Sequence, residues 1–187
     1  MRERTVYVSP WRVDITVRDS VEPRVRLSRL CRAIAVALDA AGAPSPASIG
    51  LILSDDVELS ELNREHMGVE GPTDVLSFPL LPRSSFPLHE GGPAADAEAA
   101  VAPAAVAFAA PPGHRLHLGD IVVSVERAAE QAAAGRGGQT GDVHSSTADE
   151  LRLLVTHGTL HICGWDHADP AEEAAMRALE QRLLAAP

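Results

Sequence analysis

Three histidines near the carboxyl end of this 187-residue sequence have the spacing of a metal site. They lie in the segment THGTLHICGWDHADP, where His157 and His161 are four residues apart and His167 follows six residues later. Residues four apart share one face of an α-helix, so the first two imidazoles can reach one point. Gly164 allows the backbone to leave the helix in a left-handed conformation and to bring His167 back as a third ligand.

Three neutral imidazoles with an open fourth position are typical of a catalytic zinc site, because structural zinc sites usually have a fourth protein ligand. Cys163 is predicted to lie outside the site, since residues two apart do not share a helix face. The other five histidines have no comparable spacing and are not predicted ligands. The expected cofactor is one Zn²⁺ per chain, and the spacing alone also admits nickel, copper or cobalt.

The same spacing matches the long zinc motif of metzincin proteases, HExxHxxGxxH. In those enzymes the second residue of the motif is the glutamate that acts as general base. Gly158 occupies that position here. Peptide hydrolysis by the protease mechanism is therefore not expected.

Composition limits the class of protein. Apolar residues make up 45% of the sequence, which predicts a packed core, and two distant cysteines are typical of a reducing compartment. The amino-terminal segment lacks the apolar region of a signal peptide, and no apolar run is long enough to span a membrane. The formal charge of -10 argues against non-specific coating of nucleic acid. We therefore expect a cytoplasmic protein with neither a membrane nor a DNA partner.

Hydrophobic periodicity predicts strands and helices that alternate along the chain. The predicted strands are WRVDITVRD, SIGLILS, TDVLSFPL and the start of LGDIVVSVERAAEQAAA, which continues as a helix. Further helices are predicted from Leu27 to Leu38, over VELSELNREHM with Ser54 or Asp55 as its cap, around His157 and His161, and from Pro170. This order favours an α/β (α+β) fold in which a small mixed sheet packs against helices. We predict one domain over residues 1–187, with a flexible Ala/Pro-rich insertion at about 83–117.

Three motifs together resemble those of one known family. HGTLHICGWDH is similar to HGxLHLxGxDH, Leu62-Asn63 precedes PTDVLSFP, and LGDIVVS is similar to LGDIVIS. The sequence thereby resembles the YbeY family of bacterial endoribonucleases, which mature ribosomal RNA. The order and spacing of the motifs agree with that family except at the Ala/Pro-rich insertion.

The resemblance implies a compact α/β fold and a single zinc ion bound by His157, His161 and His167. It also implies single-strand-directed cleavage near the ends of small-subunit ribosomal RNA, and a role in ribosome assembly and quality control. The implied partners are ribosomal RNA precursors and the small ribosomal subunit. The expected mechanism is hydrolysis by a zinc-activated water, because the metal lowers the pKa of its bound water to about 7.

One departure from the family concerns the catalytic arginine that precedes the glycine between LN and PTDVLSFP. Met67 stands at that place in LNREHMGVEGPTDVLSFP. Arg64, three residues earlier on the same helical face, is the candidate to reach the same cleft. The alternative is an exposed arginine paired with Glu61 or Glu65.

The sequence does not assign single roles to the acidic and serine side chains near these motifs. Asp166 is either a carboxylate that orients a ligand histidine or a turn residue. Asp74, Ser77 and Asp120 are not assigned, because strand alternation places Asp74 and Ser77 on opposite faces. Two further hypotheses compete with the ribonuclease: a metallohydrolase of another substrate class, and a zinc-stabilised ribosome assembly factor without turnover.

Overall fold

The computed structural model describes residues 1–22, 25–89, 92, 115–135 and 146–185. Within these ranges, five strands and five α-helices form the fold. The strands are β1 (Arg2–Val8), β2 (Trp11–Val17), β3 (Ala47–Ser54), β4 (Val75–Pro79) and β5 (Leu116–Ser124). The α-helices are α1 (Leu27–Ala40), α2 (Asp56–Met67), α3 (Val125–Ala134), α4 (Thr147–Ile162) and α5 (Pro170–Ala185).

The five strands form one mixed sheet in the order β1-β2-β3-β5-β4. Strands β2, β3 and β5 run parallel, and the two edge strands β1 and β4 are antiparallel to their neighbours. The predicted mixed sheet packed with helices is confirmed. Strand β1 was not expected from the sequence, because its residues are mostly exposed and show no buried alternation.

The two faces of the sheet carry different helices. Helices α1, α4 and α5 cover one face and enclose the main core with the odd-numbered residues of β2 and β3. Helix α2 packs on the other face, where Leu59 meets Leu76 and Val122 in a smaller cluster. Helix α4, which carries two of the three histidines, therefore lies in the larger core layer against β4 and β5.

The ends of the predicted insertion belong to the packed fold. Residues Arg83–Ser85 form a 3-10 turn, Phe86 is buried, and Leu116 already begins β5. The Ala/Pro-rich interior, residues 93–114, lies outside the described residues. The single-domain organisation and the flexible insertion stay predictions.

No α-helix among the described residues is both long enough and apolar enough to cross a membrane.

Candidate metal site

Helix α4 places His157 and His161 side by side on one face. Ser146 caps the start of the helix, where a capping box with Asp149 satisfies the first backbone N–H groups. Its core face is apolar through Leu151, Leu154 and Val155, all of them buried, while both imidazoles remain half-buried. The Nε2 atoms of His157 and His161 lie 3.0 Å apart.

A tight turn after α4 returns the chain to this face. Gly164 has φ +83, a left-handed conformation that favours glycine, and its Cα faces the side chain of Arg83. An added Cβ at Gly164 would lie 2.8 Å from Arg83 Cγ. The turn brings His167 to the other two histidines, so that one ring nitrogen of each lies within 4.8 Å of the others.

Hydrogen bonds determine which ring nitrogens face inward. His161 Nδ1 lies 2.8 Å from the carbonyl oxygen of Trp165, which can only accept, so Nδ1 carries the proton. His157 Nδ1 lies 2.5 Å from the carboxylate of Glu180 and is likewise the donor. The two Nε2 atoms therefore direct their lone pairs at each other.

This donor set fits a bound cation. Two nitrogen lone pairs at 3.0 Å repel each other unless a positive charge lies between them. Two imidazoles that share a tetrahedral zinc ion have their nitrogens about 3.3 Å apart, given Zn–N bonds of about 2.0–2.1 Å. Burial, followed by the neighbouring His157, lowers the pKa of His161 to about 4, so its ring is neutral at pH 7. Neutral imidazole is the form that binds metal.

Cys163 takes no part in this cluster. Its side chain is 1% exposed and packs in the main core. Burial raises the pKa of its thiol to about 12, so the thiolate that a metal requires is absent at neutral pH. Among the described residues, the group of side chains that could hold a metal ion consists of His157, His161 and His167, without Cys163.

Glu180 is a site residue that sequence reasoning missed. It lies on α5, 23 residues beyond His157, and its carboxylate is 13% exposed. A carboxylate that holds the outer nitrogen of a ligand histidine fixes the ring orientation and makes the inner nitrogen a better donor. No local spacing pattern predicts this contact, because it depends on how α5 packs against α4.

We expect Glu180→Gln to weaken metal binding about 10- to 100-fold, because the carboxylate–histidine contact is replaced by a weaker neutral hydrogen bond. Competition for the metal with a coloured chelator measures the affinity. Glu173→Gln, on the same helix but paired with Arg177, is the matched control and should keep wild-type affinity. Equal metal affinity in both variants would show that Glu180 does not support metal binding.

Asp166 behaves as a turn residue. Its carboxylate accepts a hydrogen bond from the backbone N–H of His167 at 2.7 Å. This contact supports the turn role of Asp166, and the carboxylate that orients a histidine ring is that of Glu180. This hydrogen bond stabilises the backbone of the turn next to His167.

A buried ionic cluster anchors the same turn. The carboxylate of Glu172, 3% exposed, accepts the backbone N–H of Asp166 at 2.8 Å and pairs with Arg83 and His89. The His89 ring stacks on Trp165 with centroids 3.8 Å apart. Burial alone would raise the pKa of Glu172, but hydrogen bonds from His89, Asp166 and Arg83 outweigh it and the pKa is lowered. Glu172 is therefore ionised at neutral pH.

Gly158 lies where α4 packs closely against the sheet. A Cβ at this position would lie 2.9 Å from Ile121 Cγ2 and 3.2 Å from Val75 Cγ2. The hydroxyl of Ser77 donates to the Gly158 carbonyl at 3.0 Å. Position 158, which corresponds to the glutamate base of the proteases, therefore faces the sheet. A glutamate side chain would not fit there. Ser77 therefore links β4 to α4 through this hydrogen bond.

A cavity of about 350 Å³ opens beside the histidines. His157 and His167 line it together with Asp74, Val75 and Glu180. Asp74 accepts hydrogen bonds from the Val75 backbone and from Gln131, each at 2.9 Å, so its carboxylate is held at the wall of the cavity. The cavity provides the space in which a substrate could approach His157 and His167 of the cluster.

Two other sequence candidates lie elsewhere. Asp120 is on the α2 side of the sheet, with His117 Nε2 at 3.2 Å. Arg64 is exposed on α2, and among the described residues its side chain pairs with neither Glu61 nor Glu65. Arg64 is not among the residues that line the cavity beside the histidines. Met67, at the place of the family arginine, is 61% exposed.

The chain is similar over most of its length to proteins of one family. A sequence profile described as Endoribonuclease YbeY matches residues 15–186. A protein named Endoribonuclease YbeY from Salinispora tropica is 43% identical over 150 residues, covering 80% of each chain. Proteins of the same name from Symbiobacterium thermophilum and Moorella thermoacetica are 36% and 39% identical, covering 92% and 85% of each chain.

Proposed function

The chain belongs to the YbeY endoribonuclease family, and on that premise we propose that it is a metal-dependent endoribonuclease that hydrolyses single-stranded RNA. The observation that carries the proposal is the set of three inward-facing histidine nitrogens within 4.8 Å of one another, beside a cavity. The acting metal is Zn²⁺, one per chain, because three neutral imidazoles suit zinc far better than magnesium or calcium.

His157, His161 and His167 hold the metal, which when bound supplies Lewis acidity for phosphodiester hydrolysis. Glu180 keeps the His157 ring in its metal-binding tautomer, and the Trp165 carbonyl does the same for His161. Glu172 holds the turn that carries the third histidine. Together these contacts preorganise the donors before the substrate arrives, so little reorganisation is needed when charge develops.

We assign Arg64 the role of the cation that contacts the substrate phosphate, since Met67 has no charge. An arginine suits this role because its guanidinium is always protonated and matches two phosphate oxygens. Arg64 has no carboxylate partner among the described residues, so its charge remains available. Its exposed position on α2 allows the side chain to move when RNA binds.

The substrates proposed are ribosomal RNA precursors, at the ends of the small-subunit RNA, with the small ribosomal subunit as partner. The reaction belongs to ribosome maturation and quality control in the cytoplasm. Met67 favours a second candidate, a zinc-stabilised assembly factor that binds the subunit without cleaving RNA. A peptidase is disfavoured, because position 158 has no space for the glutamate that serves as general base in the proteases.

Cleavage of a labelled single-stranded RNA, compared with the same sequence in a duplex, tests the proposal. We expect metal-dependent cleavage of the single strand only, and a fall of about 100-fold in Arg64→Ala, the scale for loss of one charge-stabilising group. Arg182→Ala, on the exposed side of α5, is the control and should cleave normally. Full metal content without cleavage by the unaltered protein would favour the assembly factor.

A further inference from the structure

Three arginines recur every third residue at the start of α1. Arg26 is the residue before the helix, and Arg29 and Arg32 follow on its exposed side. Positive charge at the amino end of a helix is unfavourable, because the helix dipole is positive there. The first turn of α1 contains no acidic residue to offset it. Local helix stability therefore does not explain this pattern.

None of the carboxylates that the structure describes forms an ion pair with these three side chains. Within the described part of the chain, Arg26, Arg29 and Arg32 form no side-chain hydrogen bond or ion pair. Ion pairs with acidic groups are instead made by arginines elsewhere, namely Arg12, Arg18, Arg83, Arg127 and Arg177. In a protein of formal charge -10, three arginines without such partners make a distinct positive surface.

Neighbouring elements extend this surface. Arg2 and Arg4 of β1 line a hollow together with Arg26, and its floor is apolar; Glu22 is the one carboxylate among its lining residues. Arg152 of α4 lines a second hollow with Arg29 and Arg32. We call these six residues the arginine strip: Arg2, Arg4, Arg26, Arg29, Arg32 and Arg152.

The strip is connected to the histidine cluster through α4. Arg152 lies five residues before His157, about 7.5 Å along the helix axis at 1.5 Å per residue. Leu183 of α5 lines the hollow of Arg152, while Leu184 lines the cavity beside the histidines. The carboxyl end of α5 therefore separates the strip from the cavity.

We propose that the arginine strip binds the phosphate backbone of the RNA substrate outside the segment that is cleaved. This inference rests on the proposed function and adds a binding surface to it. Arginine matches phosphate oxygens with two hydrogen bonds, and phosphate contacts provide affinity and position without reading sequence. A localised strip is required because the remaining surface, which carries the net negative charge, repels RNA.

Binding of a 30-nucleotide single-stranded RNA tests the strip. It is followed by fluorescence anisotropy at several salt concentrations, with a chelator present to prevent metal-dependent hydrolysis. Arg29→Gln/Arg32→Gln should bind about tenfold more weakly, and its salt slope should decrease by about 1.4, since each phosphate contact contributes about 0.7. Arg29→Lys/Arg32→Lys should keep most of the salt slope.

The control, Arg12→Gln/Arg127→Gln, removes two charges from other parts of the surface and should bind RNA as the unaltered protein does. Thermal unfolding verifies that each variant is folded. Equal affinity and salt slope in the α1 variant and the control would overturn the proposal, as would preferential binding of polyglutamate over RNA. Because the RNA is not cleaved, this result is independent of the hydrolysis experiment: RNA bound through the strip without any cleavage would refute only the proposed activity.

Discussion

Replacing His161 with alanine is expected to abolish metal binding and to reduce RNA cleavage by at least about 100-fold. His161 contributes one of the inner nitrogens, and it lies 3.0 Å from the nitrogen of His157. Loss of a residue that merely orients a ligand already costs about 10- to 100-fold in affinity, so loss of a ligand should cost more. With two histidines left, the site retains neither the donor number nor the geometry of a zinc centre.

Metal content by elemental analysis and single-turnover cleavage, both on the same preparation, measure this effect. His117→Ala is the matched control, because His117 lies on the other face of the sheet and contacts Ser48 and Asp120. The control should keep its metal and its cleavage rate. Undiminished cleavage in His161→Ala would mean that hydrolysis does not depend on the three-histidine cluster.

Gly158→Glu is expected to prevent stable folding and to create no peptidase. The new side chain would start 2.9 Å from Ile121 and 3.2 Å from Val75, between helix α4 and the sheet. An unpaired carboxylate in that position adds a desolvation cost of several kcal/mol to the steric one, about 3 kcal/mol or more in total. Gly158→Ala should be milder, at about 1–3 kcal/mol from overpacking.

Urea unfolding followed by circular dichroism measures these changes in the free energy of unfolding. Ala148→Glu adds the same charge to the first turn of α4, where acidic residues are favourable, and should fold normally. Normal stability of Gly158→Glu would show that α4 is farther from the sheet than described. Peptidase activity in that variant would contradict the assignment of the reaction class.

Much of the fold was predictable because the signals are local. Apolar alternation identified β2, the apolar run identified β3, and Asp55 caps α2 through a hydrogen bond from the Glu58 backbone. The left-handed Gly164 was likewise expected from its place after the helix. The strand order was not available from such patterns, because it depends on contacts between distant segments.

The candidate site likewise contains residues that the sequence predicts and residues that it does not. The three histidines are close in sequence, so helix geometry and one turn suffice to bring them together. Glu180 and Glu172 lie on a different helix, and the residues they contact depend on how α5 packs. His89 illustrates the same limit, since it lies in the predicted insertion and stacks on Trp165 beside the turn.

Zinc stoichiometry and RNA cleavage, both measured before and after removal of the metal from one sample, test whether the three histidines form the active metal site. The three histidines predict close to one zinc per chain, loss of single-strand cleavage when a chelator removes it, and recovery when zinc is returned. X-ray absorption at the zinc edge should show three nitrogen donors. Full cleavage of RNA by the metal-free protein would show that hydrolysis does not depend on a metal held by the three histidines.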